Sequence, residues 1–152
     1  MNKSDKQIKF KKLNIFFVFK LYFFLKRNKN DENNFHPHKY NIKNVIKNTL
    51  DSQDIYIIQL YNKKMVGYGM LRGWKEGYEI PTLGIIIDNK YRGLGLSKIM
   101  MNYLHEMARN KKSKEIYLKV KNDNFIAINL YKKFDYKLSN FNDEFLIGKK
   151  LL

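Results

Sequence analysis

The chain has 152 residues, a hydrophobic content of 44% and no cysteine. This length fits one domain with a single core. The lack of cysteine excludes disulfides, thiolate metal sites and a cysteine nucleophile. Nothing in the sequence requires an oxidising compartment, so we expect residues 1–152 to form one domain of a cytoplasmic protein.

The formal net charge of +16 comes from 26 Lys and only 4 Arg set against 14 acidic residues. A charge of this size can mark a nucleic-acid-binding protein, but no base-reading motif accompanies it. Nucleic acid is therefore not the partner that we expect. Much of the charge can be a solvated surface, and a basic field also favours capture of an anionic ligand.

The N-terminal region combines an aromatic, apolar run with basic flanks. We predict a first strand near Ile8–Leu13 and a Phe-rich helix in residues 15–25 that packs on a sheet. Eleven residues that include a lysine are too short to span a bilayer, which takes about 20, and no small-residue cleavage site follows. Peripheral contact with a membrane through residues 15–25 is the alternative that we favour less, and an oligomer contact is another.

The rest of the chain predicts a hairpin followed by alternating strands and helices. This order indicates an α/β (α+β) fold with a mixed, mostly antiparallel central sheet and helices on both faces. The predicted elements are a helix at Asn41–Leu50, strands at Ile55–Tyr61 and Met65–Leu71 joined by a turn at Asn62–Lys63, a loop at Gly73–Gly77, a strand at Glu79–Ile87, a helix at Leu96–Asn110, a strand at Glu115–Val120, a helix at Asn124–Phe134, and closing strands at Tyr136–Lys137 and Phe145–Lys149.

A glycine-rich turn joins the strand that ends at Ile87 to the helix that follows it. Its sequence is Arg92-Gly93-Leu94-Gly95-Leu96-Ser97. Backbone N–H groups at a helix N-terminus lack intrahelical partners and carry a partial positive charge, so such an end suits an anion. The glycines let phosphate oxygens approach the backbone closely, because they have no Cβ. The turn therefore predicts a cradle for a pyrophosphate.

A second motif runs from Asn124 to Tyr136. It places Asn124, Ala127, Ile128 and Tyr131 at i, i+3, i+4 and i+7, on one face of one helix. Capping of the helix is by itself a sufficient reason for the asparagine.

Together the two motifs resemble those of the GNAT family of N-acetyltransferases, which read Arg/Gln-x-x-Gly-x-Gly/Ala and Asn-x-x-Ala-hydrophobic-x-Leu-Tyr-x-x-x-Gly-Phe. The resemblance extends from about Ile55 to Tyr136. The sequence departs from the pattern at Ser97 and at Asp135-Tyr136, and we expect Asp135 to adopt a left-handed conformation where the helix ends.

The resemblance implies an acetyl-CoA-dependent N-acetyltransferase in which the amine attacks the thioester directly in a ternary complex, with CoA as the cofactor and no metal. It implies that Tyr131 protonates the departing CoA thiolate and that the backbone N–H of Ile86 or Ile87 stabilises the oxyanion. The residues that it assigns to the cofactor are Ile85, Ile86, Ile87, Arg92, Gly93, Leu94, Gly95, Leu96, Ser97, Asn124 and Tyr131.

The acceptor side of the site is less specified. We predict Glu79 as the general base because it lies close to the central strand, with His36 or His38 as the rival base. We expect His36, His38, Trp74 and Glu76 to line the pocket of a small-molecule primary amine. The aromatic and basic candidates for this pocket fit an amino sugar better than a polyamine, because a strongly positive protein repels polyamines at low salt. They are Phe35, His36, His38, Tyr40, Arg72 and Trp74.

Two classes of function stay open at this point. One is the N-acetyltransferase, as a monomer or a homodimer. The other is a basic domain that binds nucleic acid or a membrane surface, including a relative of the enzyme that has lost turnover.

Overall fold

The computed structural model describes residues 7–31, 41–50 and 53–152. The predicted histidines His36 and His38 lie outside these residues. The strands are β1 (Ile8–Lys12), β2 (Ile55–Tyr61), β3 (Lys64–Arg72), β4 (Thr82–Ile87), β5 (Glu115–Lys121), β6 (Lys137–Asn140) and β7 (Phe145–Leu151), and the α-helices are α1 (Val18–Arg27), α2 (Ile42–Thr49), α3 (Leu96–Asn110) and α4 (Phe125–Lys133).

The strands form one sheet in the order β1-β2-β3-β4-β5-β7-β6. All neighbours pair antiparallel except β4 and β5, which are parallel. Asn62 and Lys63 both have positive φ and close the β2–β3 hairpin, because a two-residue turn of this kind matches the twist of the strands. The predicted mixed sheet and hairpin turn are confirmed.

Each face of the sheet is covered by a pair of helices. Helices α1 and α2 bury Leu21, Phe24 and Val45 against side chains from β2 to β4. Helices α3 and α4 bury Leu104 and Ile128 against the opposite face, together with side chains of β5. The predicted packing of the Phe-rich helix on the sheet is confirmed.

Strand β4 is shorter than predicted. We expected it to begin at Glu79, but it begins at Thr82. Pro81 has no N–H to give to a ladder and restricts the residue before it. The segment ahead of it is held as a turn by the Tyr78 N–H, which donates to Gly73 O at 2.9 Å. Glu79 therefore lies in a loop and not in the central strand.

The end of α4 shows how the chain accommodates its departure from the glycine of the second motif. Asp135 has a φ of 61° and follows the C-cap residue Phe134, and the Tyr136 N–H donates to Tyr131 O at 3.1 Å. The expected left-handed conformation at Asp135 is confirmed. It turns the chain so that Tyr136 enters the core beside α4.

None of the helices within residues 7–31, 41–50 and 53–152 has the length and apolar content needed to cross a membrane.

Candidate active site

The candidate site begins where β4 and β5 separate. Thr82 and Tyr117 are the one ladder pair between these strands in the described part of the chain, joined by the Tyr117 N–H, which donates to Pro81 O at 2.9 Å. On its other edge, β4 pairs with β3 at every residue from Thr82 to Ile87. Both strands continue past this pair in the same direction, so their unpaired lengths lie toward their carboxyl ends and leave a cleft in the sheet.

Backbone groups of β4 point into this cleft. The Asp88 N–H donates to Val66 O of β3 at 2.8 Å, whereas Pro81 O faces β5. Peptide groups along an antiparallel strand alternate in direction, so the N–H groups of Ile85 and Ile87 face the cleft and that of Ile86 faces β3. Of the two predicted oxyanion donors, Ile87 has the required direction and Ile86 does not. Ile85 has it as well.

The glycine-rich turn lies at the open end of the cleft. Gly93 and Gly95 have φ values of 79° and 75°, and a Cβ built on either would meet no atom within 4 Å. Gly95 is the N-cap of α3 and makes no side-chain capping bond, which leaves the first N–H groups of the helix open to a ligand. The Arg92 Nε donates to Ile87 O at 3.3 Å. This open, left-handed, positively polarised turn fits a pyrophosphate.

Helix α4 begins beside the same opening. The Asn124 side chain accepts a hydrogen bond from the Ala127 N–H at 3.2 Å and so caps the helix. A shallow cavity of about 340 Å³ is lined by Asp123, Asn124, Phe125 and Ile126. The β4–α3 and β5–α4 connections leave the sheet at the same edge because the carboxyl ends of parallel strands share it.

Tyr131 lies two turns further along α4, buried at 7% exposure in the core that also contains Leu83. Burial raises the pKa of Tyr131 to about 12. The hydroxyl therefore stays protonated at neutral pH. It makes no hydrogen bond to the residues that the structure describes, so none of them competes for its proton.

Tyr136 and His105 form a buried pair beside Tyr131, which we did not predict from the sequence. The Tyr136 ring lies 5.8 Å from that of Tyr131, and its hydroxyl is 2.9 Å from His105 Nε2. Burial, followed by the charges of Lys150 and Arg109, lowers the pKa of His105 to about 4, so the imidazole is neutral. The sequence signal that could have indicated this pair is the position of His105 on the apolar face of α3, among Met101, Leu104 and Ala108.

The predicted acceptor residues that the structure describes lie at the other end of β4. Glu79 is exposed in the loop before Thr82, where β4 and β5 are still joined. Trp74 packs against the core beneath Lys111, whose Nζ lies 4.9 Å from the ring centroid. Glu76 Oε1 is 3.6 Å from Arg72 Nη2. These residues are grouped together, about one strand length from the glycine turn.

A second set of side chains on the open sheet was missed. Tyr117 and Lys119 of β5 share a face with Lys149 and Phe145 of β7, as the register Tyr117–Lys149 and Lys119–Ile147 shows. Lys119 Nζ lies 4.1 Å from the centroid of the Phe145 ring, and Lys149 Nζ is 2.8 Å from Glu115 Oε1. The alternation of polar and apolar residues in Glu115–Lys121 could have indicated that one face of β5 is polar. It could not have indicated which residues of β7 lie beside that face.

This combination of a splayed mixed sheet, an anion cradle at a helix N-terminus and a buried tyrosine defines a domain built to hold an extended, phosphate-bearing ligand. The family model described as "Acetyltransferase (GNAT) family" matches residues 20–136. The chain belongs to this family, and the resemblance seen in its two motifs is confirmed.

Curated relatives match the chain over part of their lengths. It is 33% identical over 101 residues to the spermine/spermidine N(1)-acetyltransferase of Bacillus subtilis strain 168, covering 60% of this chain and 66% of that protein. It is 31% identical over 96 residues to an N-alpha-acetyltransferase of Sulfolobus acidocaldarius, covering 56% of each. The matches thus span less than two thirds of these relatives.

Among solved structures, the PaiA N-acetyltransferase from Thermoplasma acidophilum in complex with coenzyme A superimposes with a TM-score of 0.80. The sequences are 14% identical, and the match covers 96% of this chain and 99% of that one. At this identity the likeness shows a shared fold.

Gly95→Glu tests the cradle. The new carboxylate would fill the open turn and repel phosphate, so we expect the affinity for CoA, measured by isothermal titration calorimetry, to fall by about a hundredfold or more. Gly77→Glu is the matched control, since Gly77 also has a positive φ of 87° and open surroundings but lies in the loop before β4. Equal CoA affinity in the two variants would refute the cradle.

Proposed function

We propose that this protein is an acetyl-CoA-dependent N-acetyltransferase that acetylates the primary amine of a small molecule by direct attack in a ternary complex. The observation that carries the proposal is the cleft between β4 and β5, which opens onto the glycine turn of α3 in a chain of the GNAT family. The residues present fit CoA, because the cradle offers backbone donors and room for phosphate.

Residues of three elements would act on the cofactor. When bound, acetyl-CoA supplies an activated acetyl thioester. The turn Arg92–Ser97 would bind the pyrophosphate, and Asn124 and the cleft-facing backbone of β4 would hold the pantetheine arm. Either the Ile85 or the Ile87 N–H group would orient the thioester carbonyl and stabilise its developing negative charge, a contribution of about 3 kcal/mol in comparable sites. The two donors are two residues apart on an extended strand, too far to share one oxygen, so the other would pair with the pantetheine arm.

Tyr131 is the proposed general acid. It holds a proton at Oη with a pKa of about 12, which lies above the roughly 8.5 of a free thiol. Full transfer to a free thiolate is uphill at these pKa values, so the protonated phenol would act as a hydrogen-bond donor to the sulfur while the carbon–sulfur bond breaks. The Tyr136–His105 hydrogen bond would fix the neighbouring ring and so limit the positions that Tyr131 can adopt.

The acceptor that we propose is a small, uncharged or anionic amine, with an amino sugar as the favoured example. The relative from Bacillus subtilis is named for polyamines and that from Sulfolobus for N-alpha-acetylation. In this chain, however, the face of β5 and β7 beside the cleft carries Lys119 between the Phe141 and Phe145 rings, with Lys149 over the Tyr117 ring in an ion pair with Glu115. Such a surface favours pairing and stacking with an anionic or sugar-bearing substrate and repels a polycation.

The general base that we propose is Glu79, with His36 and His38 shaping the acceptor pocket. Glu79 is exposed near the closed end of the cleft and so can exchange protons with solvent. Trp74 and Glu76 lie on the same loop and would form the wall of the pocket.

Tyr131→Phe tests the general acid. We expect kcat to fall by about a hundredfold, with CoA affinity nearly unchanged, because the variant keeps the ring but loses the transferable proton. Tyr103→Phe is the control, because it removes the same hydroxyl group at another position. The Tyr103 ring stacks on that of Phe10, with 4.0 Å between the ring centroids. A near-normal kcat for Tyr131→Phe, measured where chemistry limits turnover, would make Tyr131 structural.

The acceptor is tested by comparing glucosamine phosphate with spermidine at low salt. We expect kcat/KM for the anionic amine to exceed that for spermidine by about tenfold or more. Lys119→Gln should reduce this preference, whereas the edge-strand control Lys137→Gln should leave it intact. A higher kcat/KM for spermidine would refute the assignment of an uncharged or anionic acceptor while leaving the acetyltransferase itself in place.

Glu79→Gln tests the base. If Glu79 is the base, the variant should have a lower kcat/KM at neutral pH and lose the acidic limb of the pH profile. The double variant His36→Asn, His38→Asn should mainly raise the acceptor KM. Loss of the limb in the histidine variant alone would transfer the role to a histidine, and its retention in both would exclude all three side chains.

A further inference from the structure

We propose that the outer face of α1 docks on an anionic lipid surface. This face carries four large apolar side chains, which we call the aromatic face: Ile15, Phe16, Phe19 and Phe23, with exposed fractions of 61%, 85%, 69% and 58%. Ile15 and Phe16 lie in a 3₁₀ turn (Ile15–Phe17) directly before α1, and Phe19 and Phe23 lie about one turn apart on α1 itself. The proposal concerns this surface alone and is independent of the proposed enzymatic reaction.

The fold does not need these side chains. The inner face of the same helix is fully buried at Leu21, Phe24 and Leu25 and holds α1 on the sheet. Solvent exposure of several large apolar groups in one contiguous patch is unfavourable and marks an interaction site. An amphipathic helix with such a face lies in the plane of a membrane interface, with the rings at the boundary between headgroups and acyl chains.

Cations from three separate segments surround the aromatic face. Phe19 and Phe23 line an open groove of about 530 Å³ together with Lys63 and Lys64 of the β2–β3 turn and Lys90 ahead of the glycine turn. Lys20 and Arg27 complete the lining from α1 itself. Cations placed in this way beside exposed aromatic rings complement a surface of phosphate headgroups.

The acidic side chain in this groove does not offset its charge. Asp88 is 3% exposed, and its Oδ2 lies 2.7 Å from Arg27 Nε. The carboxylate is thus buried in an ion pair, and the four lysines stay uncompensated within the lining. Two copies of the chain placed face to face would bring these lysines against each other, so charge favours an anionic partner over self-association.

The occupant of the groove is a lipid headgroup layer and not a bilayer core. Helix α1 has ten residues, a length of about 15 Å, which is half of what a bilayer span requires. The side chains of the aromatic face have no hydrogen-bonding groups, so an apolar surrounding is enough to bury them. The boundary between lipid headgroups and acyl chains provides it. Lys90 and Tyr91 lie directly before Arg92 in the chain, so a docked surface would lie next to the proposed cofactor cleft.

The experiment is flotation of the full chain with vesicles of phosphatidylcholine alone and of phosphatidylcholine with about a third phosphatidylglycerol. We expect binding to the anionic vesicles that weakens as salt is raised, and little binding to the neutral ones. Failure to bind anionic vesicles at low salt, or equal binding to both kinds, overturns the proposal.

Two pairs of variants assign the binding to this surface. The aromatic variant Phe16→Ser, Phe19→Ser, Phe23→Ser should weaken binding by at least about tenfold, whereas Leu50→Ser, Tyr78→Ser, Leu151→Ser removes equally exposed apolar groups elsewhere and should not. Lys20→Gln, Lys63→Gln, Lys64→Gln, Lys90→Gln should weaken it similarly. Lys43→Gln, Lys47→Gln, Lys132→Gln, Lys133→Gln makes the same change in net charge and should have little effect.

A further variant and two competing partners complete the test. Phe19→Trp keeps the face intact, and its added indole emission should shift to shorter wavelength on anionic vesicles. Equal effects of test and control variants, or no shift for Phe19→Trp, contradict docking by α1. If single-stranded RNA displaces the vesicles and its binding is lost in the aromatic variant, the surface is a nucleic-acid site. Dimerisation without lipid that the aromatic variant abolishes makes it a self-association site, and both results overturn the proposal.

Discussion

The candidate site depends on the short pairing between β4 and β5, which consists of one ladder pair among the described residues. Past Thr82 and Tyr117 the two parallel strands diverge, although each continues for several more residues. Backbone donors inside a sheet are almost always paired, so the cleft-facing N–H groups of Ile85 and Ile87 are a departure from that rule within one edge of β4. The opposite edge is fully paired with β3, which fixes the direction of these donors. An extended ligand that enters the cleft satisfies groups that the protein's own strand leaves open.

The same pairing brings the other parts of the site to one edge of the sheet. Because β4 and β5 run parallel, the turn before α3 and the turn before α4 leave the sheet side by side. One supplies left-handed glycines and helix N–H groups, and the other supplies the Asn124 cap. Tyr131 then projects from α4 into the core on the helix α3 side, where burial keeps its hydroxyl protonated. The proposed phosphate binding and proton donation thus depend on a single parallel pairing in an otherwise antiparallel sheet.

Features set by neighbouring residues were predictable from the sequence, and those set by distant pairings were not. The bounds of α3, the Asn62–Lys63 turn and the left-handed Asp135 follow from local patterns, and the structure confirms them. The start of β4 was predicted at Glu79, three residues too early, and the structure begins the strand after Pro81. The His105–Tyr136 hydrogen bond and the grouping of Lys119 with Phe145 and Lys149 depend on contacts between segments far apart in the chain. No local sequence pattern specifies such contacts, so they could be identified only from the three-dimensional structure.

The two predicted roles of the N-terminal aromatic run were framed as alternatives, yet one helix can have both. Leu21, Phe24 and Leu25 satisfy the packing requirement of the sheet from one side. Phe16, Phe19 and Phe23 remain outside it, and the fold gains nothing from their exposure. The charge of the chain supports the same distinction. A uniform excess of lysine would serve only as a solvated surface, whereas Lys63, Lys64 and Lys90 come from separate segments and meet beside these rings. The meeting of cations and exposed rings is a property of the folded surface, and it supports the docking role that we propose for the outer side of α1.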